Sequence, residues 1–458
     1  MKVEKSSFRD NSGFIFYDQG EIFRAVSYSY KNNYDHLIKS GLYNYLVEEK
    51  LLIPHSDVKV SSDNSDAAIY KVIRPVKIDF ISYPYEWCFS QIKDAALTTI
   101  KIQRAALKYE MTLKDSSAYN IQFYRGKPIL IDTLSFEIYN EGEPWQAYNQ
   151  FCKYFLAPLA LAVYCDVRLK LLLKDFIDGI PLDLVKKILR KKAFLNAGIF
   201  LHIYLHSRYQ AKYSDKKESL SVNKKWMNKA ALLRMMQNLE TTIINLKLKK
   251  NKTAWCNYYF DEHHTTTYLK EKKEVVKTFI EKANPKRVVD LGANEGEFSK
   301  IAAAIGKEVL AFDSDPFCIE ECYNYTKQNN IENLFPIVAD LTNLSPSIGW
   351  ANSERVSLLE RLNAEMVLAL AIIHHLCISN NVPFSMLADF FAKIGEWLII
   401  EFVPKSDPMV KKLLLHRKDI FENYNVEHFE SEFLKYFSIV EFKQVTGTER
   451  VIYLLKRN

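Results

Sequence analysis

From residue 270 to the C-terminus, short apolar runs of strand-like composition alternate with longer stretches of helical periodicity. The runs fall at 287–291, 308–312, 334–338, 366–372, 397–402, 437–442 and 451–455, with helices opening at Gly296 and Pro316. This rhythm leaves few architectures open. Parallel strands need a crossover of a dozen or more residues, and a helix is the usual one. The pattern therefore predicts an α/β fold with a doubly wound, Rossmann-like sheet. The last two runs are too close for a crossover and are expected to pair antiparallel at the edge.

The first run, Val288-Val289-Asp290-Leu291, passes through Gly292-Ala293-Asn294-Glu295-Gly296 into a helix. Glycines at such a turn let the backbone bend tightly and approach a ligand, and in these sheets ligands lie beyond the carboxyl ends of the strands. The second run ends at Asp313, 21 residues after Gly292. An acid at that distance suits a ribose diol. So far a dinucleotide and an S-adenosyl cofactor both fit. Two features separate them. The loop is not Gly-x-Gly-x-x-Gly, and its acids Asp290 and Glu295 would repel a pyrophosphate while tolerating an ammonium group. The third run leads to Asp340, placed to accept from an adenine amino group.

In this order the segments resemble the motifs of class I S-adenosylmethionine-dependent methyltransferases. The resemblance implies that Asp290, Gly292 and Gly296, with Asn294 in the same loop, hold the methionyl end of S-adenosylmethionine. It assigns Asp313 to the ribose and Asp340 to the adenine. The segments Asn-Leu-Ser-Pro-Ser-Ile-Gly-Trp-Ala (343–351) and His-His-Leu (374–376) extend the likeness to a bacterial group that includes nodulation-associated methyltransferases.

The fourth run leads into His374-His375, beside the expected position of the reactive methyl group. Either histidine is a candidate base for a hydroxyl or amine. Glu401, ending the fifth run, is a second candidate base or a substrate contact. The Asn/Asp-Pro-Pro-Tyr sequence of many base-amino methyltransferases is absent. A long polar insertion after Asp340 carries Trp350 and Arg355, candidates for a planar or anionic substrate. Tyr259, in the aromatic group Trp255, Tyr258, Tyr259, His263, His264 and Tyr268, is a third substrate candidate. His202 and His206 lie four apart with no acidic partner at ligand spacing, and are read as structural.

The N-terminal half has a different grammar. Residues 13–26 read as a hairpin turning at Gln19-Gly20, 33–50 as a helix, 61–66 as a polar loop and 69–81 as strand. A helix at 88–109 precedes short strands at 121–123 and 128–131. Asp115 and Asn120, followed by Asp132, resemble the catalytic loop and metal-binding Asp of kinase-like phosphotransferases. Departures are plain: no Gly-rich loop, Leu113 where His is usual, and Thr133-Leu134 after the second Asp. Residues 145–250 read as helical, with 216–252 as a connecting helix pair. The expected domains are an α+β region at 1–145, a helical region at 146–254 and the methyltransferase domain at 255–458.

Composition narrows the setting. Hydrophobic residues make up 48% of 458, enough for real cores and against wholesale disorder. Seven cysteines without a Cys-x-x-Cys pair support neither a zinc site nor a disulfide framework, so no metal is expected and reduced thiols in the cytoplasm fit best. The N-terminus lacks a signal-like apolar core, and the apolar run 155–163 is too short for a bilayer. The net charge of +7 gathers in lysine clusters such as Lys186-Lys187 and 247–252. Solvated helix faces account for these. They also motivate RNA as the second choice of acceptor behind a small molecule or saccharide.

Overall fold

The computed structural model describes residues 2–58, 68–208, 227–249, 266–415 and 418–458. The chain divides into two units: Met1–Lys249 with Ser347–Val356, and Lys250–Pro346 with Ser357–Asn458. The helical region from 146 thus belongs to the first unit instead of standing apart. The tip of the insertion after Asp340 joins that unit as well.

In the first unit, β1 (Lys2–Val3), β2 (Gly13–Asp18), β3 (Glu21–Ser27), β4 (His55–Val58) and β5 (Ile69–Pro75) form an antiparallel sheet in the order β1-β2-β3-β5-β4. Gln19 and Gly20 join β2 to β3 with φ of 50° and 84°, a two-residue turn that matches strand twist. One helix was expected at 33–50. The structure has two, α1 (Lys31–Lys39) and α2 (Leu42–Glu48), because Gly41 sits at φ 86° and breaks the run. The polar run 61–66 lies outside the described residues. Helix α3 (Phe89–Lys108) buries Phe89, Ile92, Ala96, Ile100, Gln103 and Leu107 at three- and four-residue spacing. After it come β6 (Met111–Leu113), β7 (Ile121–Tyr124), β8 (Lys127–Leu130) and β9 (Phe136–Ile138), with β7–β8 turning at Arg125-Gly126. Residues 148–205 are mainly helical, and α4 (Lys229–Asn245) follows. The rest of the expected helix pair at 216–252 falls largely outside the described residues. This order of sheet, long helix, loop and hairpin follows the sequence expectation.

The second unit runs α5 (Thr266–Ala283), β10 (Arg287–Leu291), α6 (Glu297–Ala304), β11 (Glu308–Asp313), α7 (Pro316–Gln328), β12 (Leu334–Val338), β13 (Met366–Ala369), α8 (Phe384–Ile394), β14 (Trp397–Phe402), α9 (Pro408–Leu414), α10 (Val426–Phe433), β15 (Phe437–Gln444) and β16 (Val451–Arg457). The sheet order is β12-β11-β10-β13-β14-β16-β15. Strands β10 to β14 are parallel, and β16 inserts antiparallel between β14 and β15. Val288, Leu368, Ile399 and Leu454 are fully buried in its core, each worth roughly 1.5–3 kcal/mol over exposure. Strand β13 stops three residues short of the expected 372. Ala371 adopts φ 51°, which a ladder cannot hold.

Candidate active site

The carboxyl ends of β10, β11, β12 and β13 open onto a cavity of about 420 Å³, within the usual range for small-molecule sites of about 300–1,000 Å³. Gly292, Asn294, Asp313, Ser314, Asp340, Ile372 and His375 are among its lining residues. Gly292 has φ 79°, and a Cβ there would stand 2.6 Å from Ile372 Cδ1. Its N–H and that of Ala293 both donate to the Phe312 carbonyl at 2.8 Å, folding the turn over the end of β11. Asp313 is locked by two backbone donors: Asn294 N to Oδ2 and Asp315 N to Oδ1, each at 2.8 Å. Burial raises its pKa, against the pull of those donors. Asp340 accepts from Thr342 N at 2.9 Å and from its hydroxyl at 2.7 Å.

Asp290 and Gly296 stand behind this lining. The Ser299 hydroxyl donates to Asp290 Oδ2 at 2.6 Å, and burial pushes the Asp290 carboxyl up to about 6. Gly296, at φ 83°, caps α6, and a Cβ there would meet Cys322 Sγ at 2.6 Å. Both shape the turn from beneath.

The charge of the lining fits one of the two cofactors. Asp313 and Asp340 face the cavity, and no lysine or arginine lines it among the described residues. A pyrophosphate would meet two carboxylates and no cation. S-adenosylmethionine brings a sulfonium and an ammonium, which those carboxylates suit. Asp313 would hold its ribose and Asp340 its adenine edge.

His375 lines the cavity, and its ring lies 4.2 Å from that of His374, centroid to centroid. His374 is fully buried, and neither ring nitrogen has a hydrogen-bond partner. Burial lowers both pKa values, that of His375 to about 4, so both imidazoles are neutral at pH 7. A buried imidazole with no partner is costly, and in an enzyme such a group commonly waits for substrate.

Glu401 is differently placed. It is fully buried, accepting from Lys272 Nζ at 2.6 Å and Tyr268 Oη at 2.9 Å, with Arg450 at 3.7 Å. Burial alone would raise its pKa, but Lys272 and Arg450 outweigh that and hold it ionised. Arg450 in turn donates to Asp407 at 2.7 and 3.1 Å and to Tyr268 at 2.9 Å. Sequence reading missed this network. One signal was there: Lys272 interrupts an apolar stripe at four-residue spacing, Tyr268, Val276 and Ile280, on α5.

The remaining candidates lie elsewhere. Trp350 and Arg355 belong to the first unit. Trp350 is 74% exposed. The Arg355 guanidinium lies 4.2 Å from the Tyr119 ring centre, while neighbouring Glu354 accepts from Arg9 at 2.8 Å. Tyr259, with Trp255, Tyr258, His263 and His264, is outside the described residues. His202 is buried, bonded to Tyr148 at 2.7 Å and Asn238 at 2.8 Å. Asp132 pairs with Arg24 at 2.9 Å, and Arg24 also binds Asp10 at 2.6 Å. Asp115 accepts from Ser117 N at 2.9 Å, and burial raises its pKa. Asn120 donates to the Ser135 hydroxyl at 3.3 Å. No cluster of three or more acidic, His or Cys side chains suited to a metal ion occurs among the described residues.

The sheet order, the glycine turn and the acid-lined cavity together define a class I methyltransferase that uses S-adenosylmethionine. No protein-family model matches the chain. It is 32% identical over 457 residues to nodulation protein NoeA of Rhizobium meliloti (strain 1021), covering 99% of this chain and 95% of that protein. The chain belongs to the NoeA family. Among solved structures, it is similar to the bifunctional kinase-methyltransferase WbdD, at 14% identity and a TM-score of 0.31, over 43% of this chain and 41% of that one. It is also similar to the N-methyltransferase NodS of Bradyrhizobium japonicum WM9, at 12% identity and a TM-score of 0.32, over 42% of this chain and 97% of that one.

Proposed function

We propose that the second unit transfers a methyl group from S-adenosylmethionine to an oxygen or nitrogen of a small-molecule or saccharide acceptor. The observation that carries this is the cavity at the ends of β10 to β13: two carboxylates, no lysine or arginine among the described residues, and a neutral histidine on its wall. When bound, the cofactor supplies an electrophilic methyl group on a positively charged sulfur. An acceptor hydroxyl or amine must shed a proton as its methyl bond forms. His375 is neutral and on the cavity wall, so it is the base we assign, with the buried ring of His374 packed behind it as a positioning residue. Glu401 is committed to Lys272 and Arg450, so its part is to position the turn after β14.

The first unit we assign to presenting the acceptor. Its β2–β3 turn has two residues, too short to cover phosphates, and Arg24 occupies the Asp132 carboxylate that a kinase would offer to metal. The described cysteines are free, and among the described residues no helix is long and apolar enough to cross a membrane. The free thiols support a cytoplasmic setting. The test is S-adenosylhomocysteine release when labelled cofactor is incubated with fractionated extract. Release by the wild type, absent in Asp313→Ala, is expected. Equal release by both sinks the proposal.

A further inference from the structure

A second cavity in the same unit, of about 680 Å³, lies against the turns that follow β14 and β15. Pro404, Ser406, Asp407, Pro408 and Met409 form one side; Thr446, Thr448, Glu449 and Arg450 form the other, with Tyr268 between. Helix α9 borders both cavities: Pro408 and Met409 line the second, and Leu413 lines the first. Arg450 belongs to the wall of the second cavity and is among the charges that act on His374.

The chemistry of the wall is selective. Arg450 is its sole cation among the described residues, and that guanidinium is committed to Asp407 and Tyr268. A phosphate or carboxylate would have to displace Asp407 to reach it, breaking a buried pair. The remaining polar groups are the Glu449 carboxylate, which accepts from Ser406, and the hydroxyls of Thr446 and Thr448, which donate to Glu271 and to the Val445 carbonyl. Carboxylates accept from neighbouring hydroxyls, and a threonine hydroxyl whose proton is committed still accepts. Pro404, Pro408 and Met409 offer an apolar face to C–H groups. A wall with an excess of negative charge would keep an amine protonated, leaving it no lone pair to methylate.

Building on the methyltransferase reading, we propose that this cavity is the acceptor site and takes an uncharged, hydroxyl-rich compound of sugar-ring size, methylated on oxygen. The acceptor oxygen's lone pair forms the new bond to the methyl carbon, the bond from that carbon to sulfur breaks with its electrons left on sulfur, and the hydroxyl proton passes to His375 on the wall of the donor cavity. Glu449 is a specificity residue, because its carboxylate meets acceptor hydroxyls and repels anions.

The test uses saturation-transfer NMR on the full chain with neutral methyl hexopyranosides and their 6-phosphates, beside calorimetry with S-adenosylhomocysteine. Neutral glycosides are expected to bind, their phosphates at least tenfold more weakly. Glu449→Gln should weaken glycoside binding several-fold and Glu449→Lys at least tenfold, with S-adenosylhomocysteine affinity unchanged within twofold. The inference is overturned if phosphates bind as well as the neutral glycosides, if Glu449→Lys has no effect, or if no glycoside binds while S-adenosylhomocysteine does. Failure of S-adenosylhomocysteine itself to bind would strike the donor reading instead.

Discussion

Lys272 donates from Nζ to Glu401 Oε2 across 2.6 Å, and both side chains are closed off from water, at 1% and 0% exposure. Removing one partner of such a pair leaves an uncompensated buried charge, at a cost of roughly 3–5 kcal/mol. Glu401→Leu is therefore expected to lower Tm by on the order of 10 °C in a unit of this size. Lys272→Met with Glu401→Leu should be milder than the sum of the single variants. Thermal melts of the three variants check it; additive losses would show the pair is not coupled.

Gly292→Ala meets two obstacles. The residue sits at φ 79°, and the new Cβ would press on Ile372 Cδ1. The left-handed backbone costs about 1–2 kcal/mol. Ile372 can yield, but it yields into the donor cavity that it lines. The expected outcome is a fold that survives and a Kd for S-adenosylmethionine raised at least tenfold, read by calorimetry.

The histidines predict two pH effects. Substituting His375 by Gln should lower kcat by roughly 10²–10⁴-fold, the usual worth of a general base. Wild-type kcat should stay level between pH 6 and 8, since the buried imidazoles are already neutral. For stability the sign is fixed by the direction of the shift. His375 falls from 6.5 unfolded to about 4 folded. Its contribution is complete above pH 6.5 and is lost as pH falls through about 4, up to about 3 kcal/mol. Asp290, raised to about 6 by burial, acts in the opposite sense. Urea unfolding from pH 7.5 to 4, compared with His375→Asn, isolates the histidine term; equal slopes would refute it.

The first unit carries its own expectation. Arg24 bridges Asp132 and Asp10 at 2.9 and 2.6 Å. We expect no ATP turnover above background in either the wild type or Asp132→Ala, and a lower Tm in the variant. Turnover that Asp132→Ala abolishes would restore a phosphotransferase.

The sheet of the second unit was legible because its strands are buried on both faces and read as continuous apolar runs. The places of Asp313 and Gly292 were legible for a related reason: each lies at the carboxyl end of a strand, and both line the cavity there. Asp290 was expected to hold the methionyl end, but it lies within β10 with its side chain bonded to Ser299 and outside the cavity lining, and no pattern along one strand gives that direction. Glu401 looked like a base because it too ends a strand. Its partners come from α5 and from the turn before β16, 129 and 49 residues away, and only the folded chain brings them together. Trp350 and Arg355 were placed with the donor domain by their position in the chain, whereas the insertion leaves that unit at Ser347 and returns at Ser357.

The most direct test of the central claim is calorimetric titration of the full chain with S-adenosylhomocysteine, wild type against Asp313→Ala. Saturable one-to-one binding, weakened at least tenfold in the variant, is predicted. No binding at millimolar ligand, or equal binding by both proteins, would contradict it.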